Sequence, residues 1–209
     1  MRRLLLAFLV PVFLTVPAAA NLPTHFDSIK PLFMAHPGQG EQAICTTWSL
    51  DQKAGLWVTA AHCTASTEYT EDGEFTVLYE NLTIAGQPVT VAYRDLVFDL
   101  ALLVADVHEP GLRLGEYPKV GDIVTVYGYP GGLLAPFATW LHVSNPFLVA
   151  YGRQWMVLDG HVWPGHSGAP VLDKKGRVVG IVQAHGTDRF AGMTLASAWG
   201  VFHAFITNA

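Results

Sequence analysis

The chain has 209 residues, of which 51% are hydrophobic and 14% are charged, and it carries a formal net charge of −5 at pH 7. This composition excludes a disordered or low-complexity chain and supplies enough apolar residues for one sizeable core. The acidic balance argues against a nucleic acid partner, because nucleic-acid-binding surfaces are basic.

The first twenty residues have the features of an export signal. Two arginines precede an apolar run, Leu4–Val16, and alanines occupy positions 18 and 20. This pattern predicts a signal peptide over residues 1–20, cleavage before Asn21 and a secreted or periplasmic mature chain. We expect no stable membrane anchor, because a span needs about 20 apolar residues and two prolines interrupt this segment. Its removal leaves 10 of the 12 basic residues against 17 acidic ones, a formal charge of −7.

The remaining residues, 21–209, predict one domain built from short strands. Segments rich in β-branched and aromatic residues alternate with polar or glycine breaks, which is typical of an all-β protein. In the first half we predict strands at residues 43–50, 55–60, 74–79, 87–93 and 100–104. Residues 21–40 have too little apolar patterning to distinguish a short propeptide from part of the first half.

A polar, proline-containing stretch over residues 109–121 predicts a linker between two halves, at about 40–108 and about 120–200. Asp173–Gly176 predicts a hairpin turn, and Gly200–Thr207 predicts a short closing helix. Strand spacing alone suits either two barrels or a sandwich. In the second half we predict strands at residues 122–129, 139–143, 155–158, 169–172, 178–184 and 193–198.

Three short segments carry the residues of a nucleophilic hydrolase. His62 ends an apolar, β-branched run, Asp99 opens another apolar run, and Ser167 lies between two glycines in the segment Gly165–Pro170. A serine hydroxyl is a poor nucleophile near neutral pH, so it needs a base, and the base needs a buried carboxylate to orient it. We therefore predict Ser167 as nucleophile, His62 as base and Asp99 as orienting acid. Asp95 is the nearest alternative acid, but it does not open a buried run.

In these motifs and their order the chain resembles a chymotrypsin/trypsin-like serine peptidase, of the compact type found in bacteria and viruses. The resemblance covers roughly residues 43–198 and implies an all-β fold of two antiparallel six-stranded barrels. It also implies a disulfide between Cys45 and Cys63, which suits an exported protein, the alternative being two buried thiols. The backbone N–H groups of Gly165 and Ser167 would form the oxyanion hole. The resemblance implies no metal ion and no organic cofactor.

One departure from the family concerns activation. Trypsin-like zymogens carry an aspartate just before the nucleophile, and this aspartate pairs with a new N-terminus after cleavage. Here the position holds His166, and no Ile-Val-Gly-Gly-like start follows the signal segment. Because both halves of that ion pair are missing, activation by this route is not expected. Compact bacterial and viral relatives lack the pair as well.

The residues that resemble the substrate pocket include two histidines. Counting back from Ser167 places His161 at the base of the S1 pocket, and a following strand that resembles the pocket wall contains Gln183 and His185. By this resemblance we expect a P1 preference for Glu or Gln, the alternative being a pocket for a medium apolar side chain. A zinc site at His161, His166 and His185 is not expected, because the spacings match no recurrent zinc motif.

Two other functions were weighed against peptidase activity. An α/β-hydrolase esterase orders its triad Ser, Asp, His and follows the serine with a helix, whereas only 42 residues follow Ser167 and Pro170 comes three positions later. A silenced peptidase fold that acts as a protein-binding module remains the alternative. We predict a serine endopeptidase that acts on a protein or peptide substrate through an acyl-enzyme at Ser167, with water activated by His62. Oligomeric state is not indicated by the sequence.

Overall fold

The computed structural model describes residues 27–208 except residues 37, 39, 71–72 and 188–190. The predicted signal peptide, residues 1–20, lies outside the described residues. Two closed antiparallel barrels of six strands each, followed by one short helix, make up the fold. This confirms the predicted fold class and decides between barrels and a sandwich. In the described part of the chain, no helix has the length and apolarity needed to cross a membrane.

The first barrel closes because its first strand pairs with both the second and the sixth strand of the chain, giving the order β1-β2-β3-β8-β7-β6. A separate two-stranded sheet, β4 with β5, lies between its halves in sequence. The strands are β1 (Ile29–His36), β2 (Gly40–Asp51), β3 (Leu56–Thr59), β4 (Ala65–Thr70), β5 (Gly73–Leu78), β6 (Leu82–Ile84), β7 (Gln87–Asp95) and β8 (Leu100–Ala105).

The strand β1 has no counterpart among the strands predicted from the sequence. Ile29 and Leu32 are its fully buried apolar residues, and they are three positions apart rather than two. The period of two that identifies a half-buried strand is therefore absent. Its pairing with β2 also shifts register after Leu32, which is typical of a β-bulge.

The second barrel has the strand order β10-β11-β14-β13-β12-β9. The predicted hairpin turn joins β12 to β13. The long strand β10 extends well beyond the predicted range of 139–143, and the additional residues were missed because none of them is buried. The elements are β9 (Ile123–Gly128), β10 (Phe137–Ala150), β11 (Arg153–Asp159), β12 (Pro170–Leu172), β13 (Val178–His185), β14 (Met193–Ser197) and the helix α1 (Trp199–Thr207).

The cores of the two barrels are connected. Buried Ile181 of the second barrel belongs to the same apolar cluster as Trp48 and Trp57 of the first. The helix α1 follows the second barrel in sequence, but its buried Phe202 packs in that first-barrel cluster, with its ring centroid 6.2 Å from that of Trp48. The short helix predicted near this position therefore packs into the core of the first barrel, and the two barrels share a continuous apolar cluster.

Candidate active site

His62 lies in a short 3-10 turn, Ala61–Thr64, that directly follows β3. Its backbone N–H donates to Oδ1 of Asp99 at 2.8 Å, and its ring Nδ1 lies 2.8 Å from Oδ2 of the same carboxylate. Because a carboxylate accepts, Nδ1 carries the proton and Nε2 is left as the basic nitrogen. The side chain of His62 is 46% exposed, so Nε2 is accessible to a reacting group.

Asp99 ends the turn that joins β7 to β8, and only 6% of it is exposed. Its backbone is left-handed, with φ of +56°, which is uncommon for a residue other than glycine. Asp95, the alternative acid, accepts a hydrogen bond from the Phe98 N–H at 2.9 Å and so shapes the turn. The structure therefore brings Asp99, and not Asp95, to His62.

Two glycines shape the turn that carries Ser167. Gly165 and Gly168 have φ of +98° and +82°, in the region that favours glycine. A Cβ on Gly165 would lie 2.3 Å from the Tyr129 carbonyl oxygen, and a Cβ on Gly168 would lie 2.2 Å from the Thr46 carbonyl oxygen. No side chain fits at either position, so the sequence pattern around the serine follows from close backbone packing.

The serine turn packs against the segment that leads into His62. The carbonyl of Ser167 accepts a hydrogen bond from the Thr46 N–H at 2.9 Å. Gly168 lies against Thr59 and Ala60, the two residues before the 3-10 turn that carries His62. The segments that carry half-buried Ser167 and exposed His62 are therefore packed together at the interface between the barrels.

Two backbone donors of the serine turn have no partner within the part of the chain that the structure describes. Neither the Gly165 N–H nor the Ser167 N–H donates to a protein acceptor. The Gly165 carbonyl is fixed by the Thr46 hydroxyl, which donates to it at 2.8 Å. A pair of oriented, unpaired N–H groups is what stabilisation of an oxyanion requires.

His166 is fully buried beneath the serine turn, against Gly128. Its Nδ1 lies 3.1 Å from the Trp163 carbonyl oxygen, and its Nε2 has no protein hydrogen-bond partner. Burial lowers the pKa of His166, so the ring is neutral near pH 7. The residue before Ser167, which is an aspartate in trypsin-like zymogens, is therefore a buried and uncharged histidine in this protein.

The two histidines of the predicted substrate pocket lie together. The exposed rings of His161 and His185 are 5.5 Å apart between centroids, and Trp163 is 5.8 Å from His161. Gln183, predicted in the same pocket, places its side chain elsewhere. Its buried amide donates to the carbonyl oxygens of Phe98 and Asp99.

The two cysteines form the disulfide that the resemblance implied, between Cys45 of β2 and Cys63 beside His62. Among the described residues, the one group of side chains close enough to share a metal ion is Cys45, Cys63 and His62. Both sulfur atoms are bonded to each other and so provide no thiolate ligand.

Sequence reasoning missed two features of the site. Thr46 joins it from β2, since its hydroxyl accepts from the Tyr129 N–H while donating to the serine turn. A cavity of about 480 Å³ beside His62 and Asp99 is lined in part by Leu96 and Trp155. These residues come from separate segments of the chain, so no local pattern indicates that they meet.

Comparison with known proteins agrees with this geometry. A family model described as a trypsin-like peptidase domain matches residues 45–181. The active form of the Rv3671c protease from M. tuberculosis is similar, with 24% identity and a TM-score of 0.68, over 100% of this chain and 92% of that one. An HtrA-type protease, AlgW, solved with a decapeptide, is similar with 18% identity and a TM-score of 0.65, over 87% of this chain and 64% of that one. Since the family model spans more than half of the residues, the chain belongs to the trypsin-like peptidase family.

Proposed function

We propose that the protein is a serine endopeptidase whose nucleophile is Ser167. The observation that carries the proposal is the double contact of the buried Asp99 carboxylate with His62, at 2.8 Å to both the backbone N–H and the ring Nδ1. This contact orients Nε2 of His62 as the base that a serine nucleophile needs. Membership of the trypsin-like peptidase family supports the same reaction class.

The residues would act in two half-reactions. Oγ of Ser167 attacks the scissile carbonyl carbon while Nε2 of His62 takes the hydroxyl proton, and the tetrahedral oxyanion accepts from the N–H groups of Gly165 and Ser167. Each such donor contributes about 3 kcal/mol to lowering the barrier. His62 then protonates the leaving amine, which leaves an acyl-enzyme. Water then attacks the ester while Nε2 of His62 takes its proton. His62 passes this proton to Oγ of Ser167 as the second product leaves, which regenerates the free enzyme.

A peptide substrate outside the cytoplasm fits these observations. The AlgW structure, which is similar in fold, contains a decapeptide. The disulfide between Cys45 and Cys63 fits an oxidising compartment. We therefore propose an exported enzyme that cleaves protein or peptide chains.

A fluorophosphonate probe tests the nucleophile, because it reacts with activated serines and needs little side-chain specificity. We expect one adduct, located by mass spectrometry on Ser167 and absent from Ser167→Ala. Ser66→Ala is the matched control, since Ser66 is half-buried and lines the cavity beside His62. An adduct on Ser66, or no adduct on folded wild-type protein, would contradict the proposal. The second result would favour a silenced fold that binds proteins.

The pair of exposed histidines, His161 and His185, supports a P1 preference for Glu or Gln, because imidazole N–H groups can donate to a carboxylate or amide oxygen. Profiling with a peptide library tests this preference, and cleavage mainly after Leu, Phe or Arg would exclude it. We expect His161→Ala to weaken the preference. His108→Ala, which alters an exposed histidine of the first barrel, is expected to leave it unchanged.

A further inference from the structure

The turn that carries Asp99 has few interactions of its own. Leu96 and Val97 are exposed, and Asp99 adopts its left-handed backbone without being a glycine. A non-glycine residue holds such a conformation only where surrounding groups impose it. Within the turn, the Asp95 carboxylate accepts from the Phe98 N–H. The contacts to the backbone carbonyls of Phe98 and Asp99 come from the opposite barrel.

Gln183 of β13 is the main source of these contacts. Its side-chain amide nitrogen donates to the carbonyl oxygens of Phe98 and Asp99, the latter at 3.0 Å. Only 6% of Gln183 is exposed, so the two carbonyls would have no ready replacement donor if the amide were removed. Arg153 of β11 adds a weaker contact from the same barrel, with Nη2 donating to the Leu96 carbonyl at 3.2 Å.

The position of Gln183 in its strand explains why it can cross to the first barrel. In the pairing of β13 with β14, Val182 pairs with Ala196 and Ala184 pairs with Leu195, so Gln183 is the extra residue of a bulge. A bulge bends the strand and redirects the side chain of the extra residue. The glutamine amide can therefore reach the turn that carries Asp99, 84 positions earlier in the chain.

We propose that Gln183 is a positioning residue for Asp99, whose side-chain amide holds the left-handed backbone of the acid so that its carboxylate meets both nitrogens of His62. Gln183 touches neither Ser167 nor His62 through any side-chain hydrogen bond in the described structure. Its effect passes through the main chain of Phe98 and Asp99. The inference rests on the proposed function, because it assigns a role in the triad of a serine peptidase.

Two substitutions remove the amide donors while keeping the length of the side chain. Gln183→Met has no donor, and Gln183→Glu presents a carboxylate to two carbonyls near neutral pH. The matched control is Gln52→Met, because the Gln52 amide also donates to a backbone carbonyl, that of His108 at 2.9 Å, but at an exposed site. Gln52 does not line the cavity beside His62. Each protein is labelled with a fluorophosphonate, and the rate constant is expressed per folded molecule across pH 4–9.

We expect Gln183→Met and Gln183→Glu to label about 10- to 100-fold more slowly than wild type on the plateau, because small misplacements of a triad carry costs of this size. The midpoint of the acid limb of the pH–rate profile of Gln183→Met should also differ from that of wild type, because this limb depends on how the Asp99 carboxylate meets His62. Asp99 and Arg153 are the charged groups that line the cavity with His62, and Gln183 lines it as well. Gln183→Glu would therefore add a charge near His62, so the comparison of midpoints uses Gln183→Met. Gln52→Met should match wild type in rate and midpoint.

The results separate positioning from stability and from the proposed function. A variant with lower thermal stability but wild-type rate and midpoint per folded molecule would overturn the positioning role. No labelling of folded wild-type protein would instead overturn the proposed function. The wild-type side-chain amide gives an independent check by NMR, because a buried amide that donates to two carbonyls should exchange its protons slowly. Amide protons that exchange at the solvent rate would also overturn the proposal.

Discussion

The first prediction concerns how much the disulfide between Cys45 and Cys63 stabilises the protein. The two residues are 18 positions apart in sequence, and the bond ties β2 to the turn that carries His62. A cross-link that closes a loop of this length removes chain entropy from the unfolded state worth about 3 kcal/mol. For a domain of this size, that loss corresponds to a fall of about 6–12 °C in melting temperature.

Equilibrium unfolding in urea measures this contribution. Reduced wild-type protein is the best comparison, because it loses the cross-link and keeps both buried sulfur atoms. We expect its free energy of unfolding to fall by about 3 kcal/mol relative to the oxidised protein. The double variant Cys45→Ala/Cys63→Ala should lose somewhat more, since shortening two buried side chains also removes packing contacts.

Two results would refute this reasoning. If reduction changes the free energy of unfolding by less than about 1 kcal/mol, the cross-link does not constrain the unfolded chain as the loop-closure model requires. If thiol titration of the native oxidised protein detects two free thiols, the bond is absent.

Three further predictions concern single residues. Burial lowers the pKa of His166 below 6.5, so as pH falls the unfolded chain takes up a proton before the folded protein does, and the free energy of unfolding should decrease below pH 6.5. Urea unfolding of His166→Gln should show a smaller decrease with falling pH. Equal decreases in the variant and the wild type would contradict this prediction. Gly168→Ala should abolish probe labelling, because its Cβ would meet the Thr46 carbonyl at 2.2 Å, whereas Gly86→Ala, with φ of +77° and open space, should label normally. Phe202→Ala should lower the free energy of unfolding by about 3–5 kcal/mol, and a loss under 1 kcal/mol would show that α1 is not part of the first core.

The site residues that were predictable from the sequence lie in local motifs. His62, Asp99 and Ser167 each lie at a strand end or turn with a distinctive neighbourhood, and their order along the chain indicates the fold. The contact of Gln183 with the turn that carries Asp99 was not predictable, because it depends on a bulge and joins residues 84 positions apart. The strand β1 was missed for a different reason, since its buried residues do not alternate with exposed ones.

The packing of α1 has a consequence for how the protein acquires activity. Phe202 of α1 and Ile29 of β1 belong to the same apolar cluster. The core of the first barrel is therefore incomplete until α1, the last element of the chain, has been synthesised. Contacts between such distant residues form late, because a long loop must be ordered before they contribute. The turn that presents His62 belongs to this barrel, so hydrolytic competence should appear only after the chain is made as far as α1. A chain that stops before α1 should therefore lack the Phe202 contacts that complete the core of the first barrel.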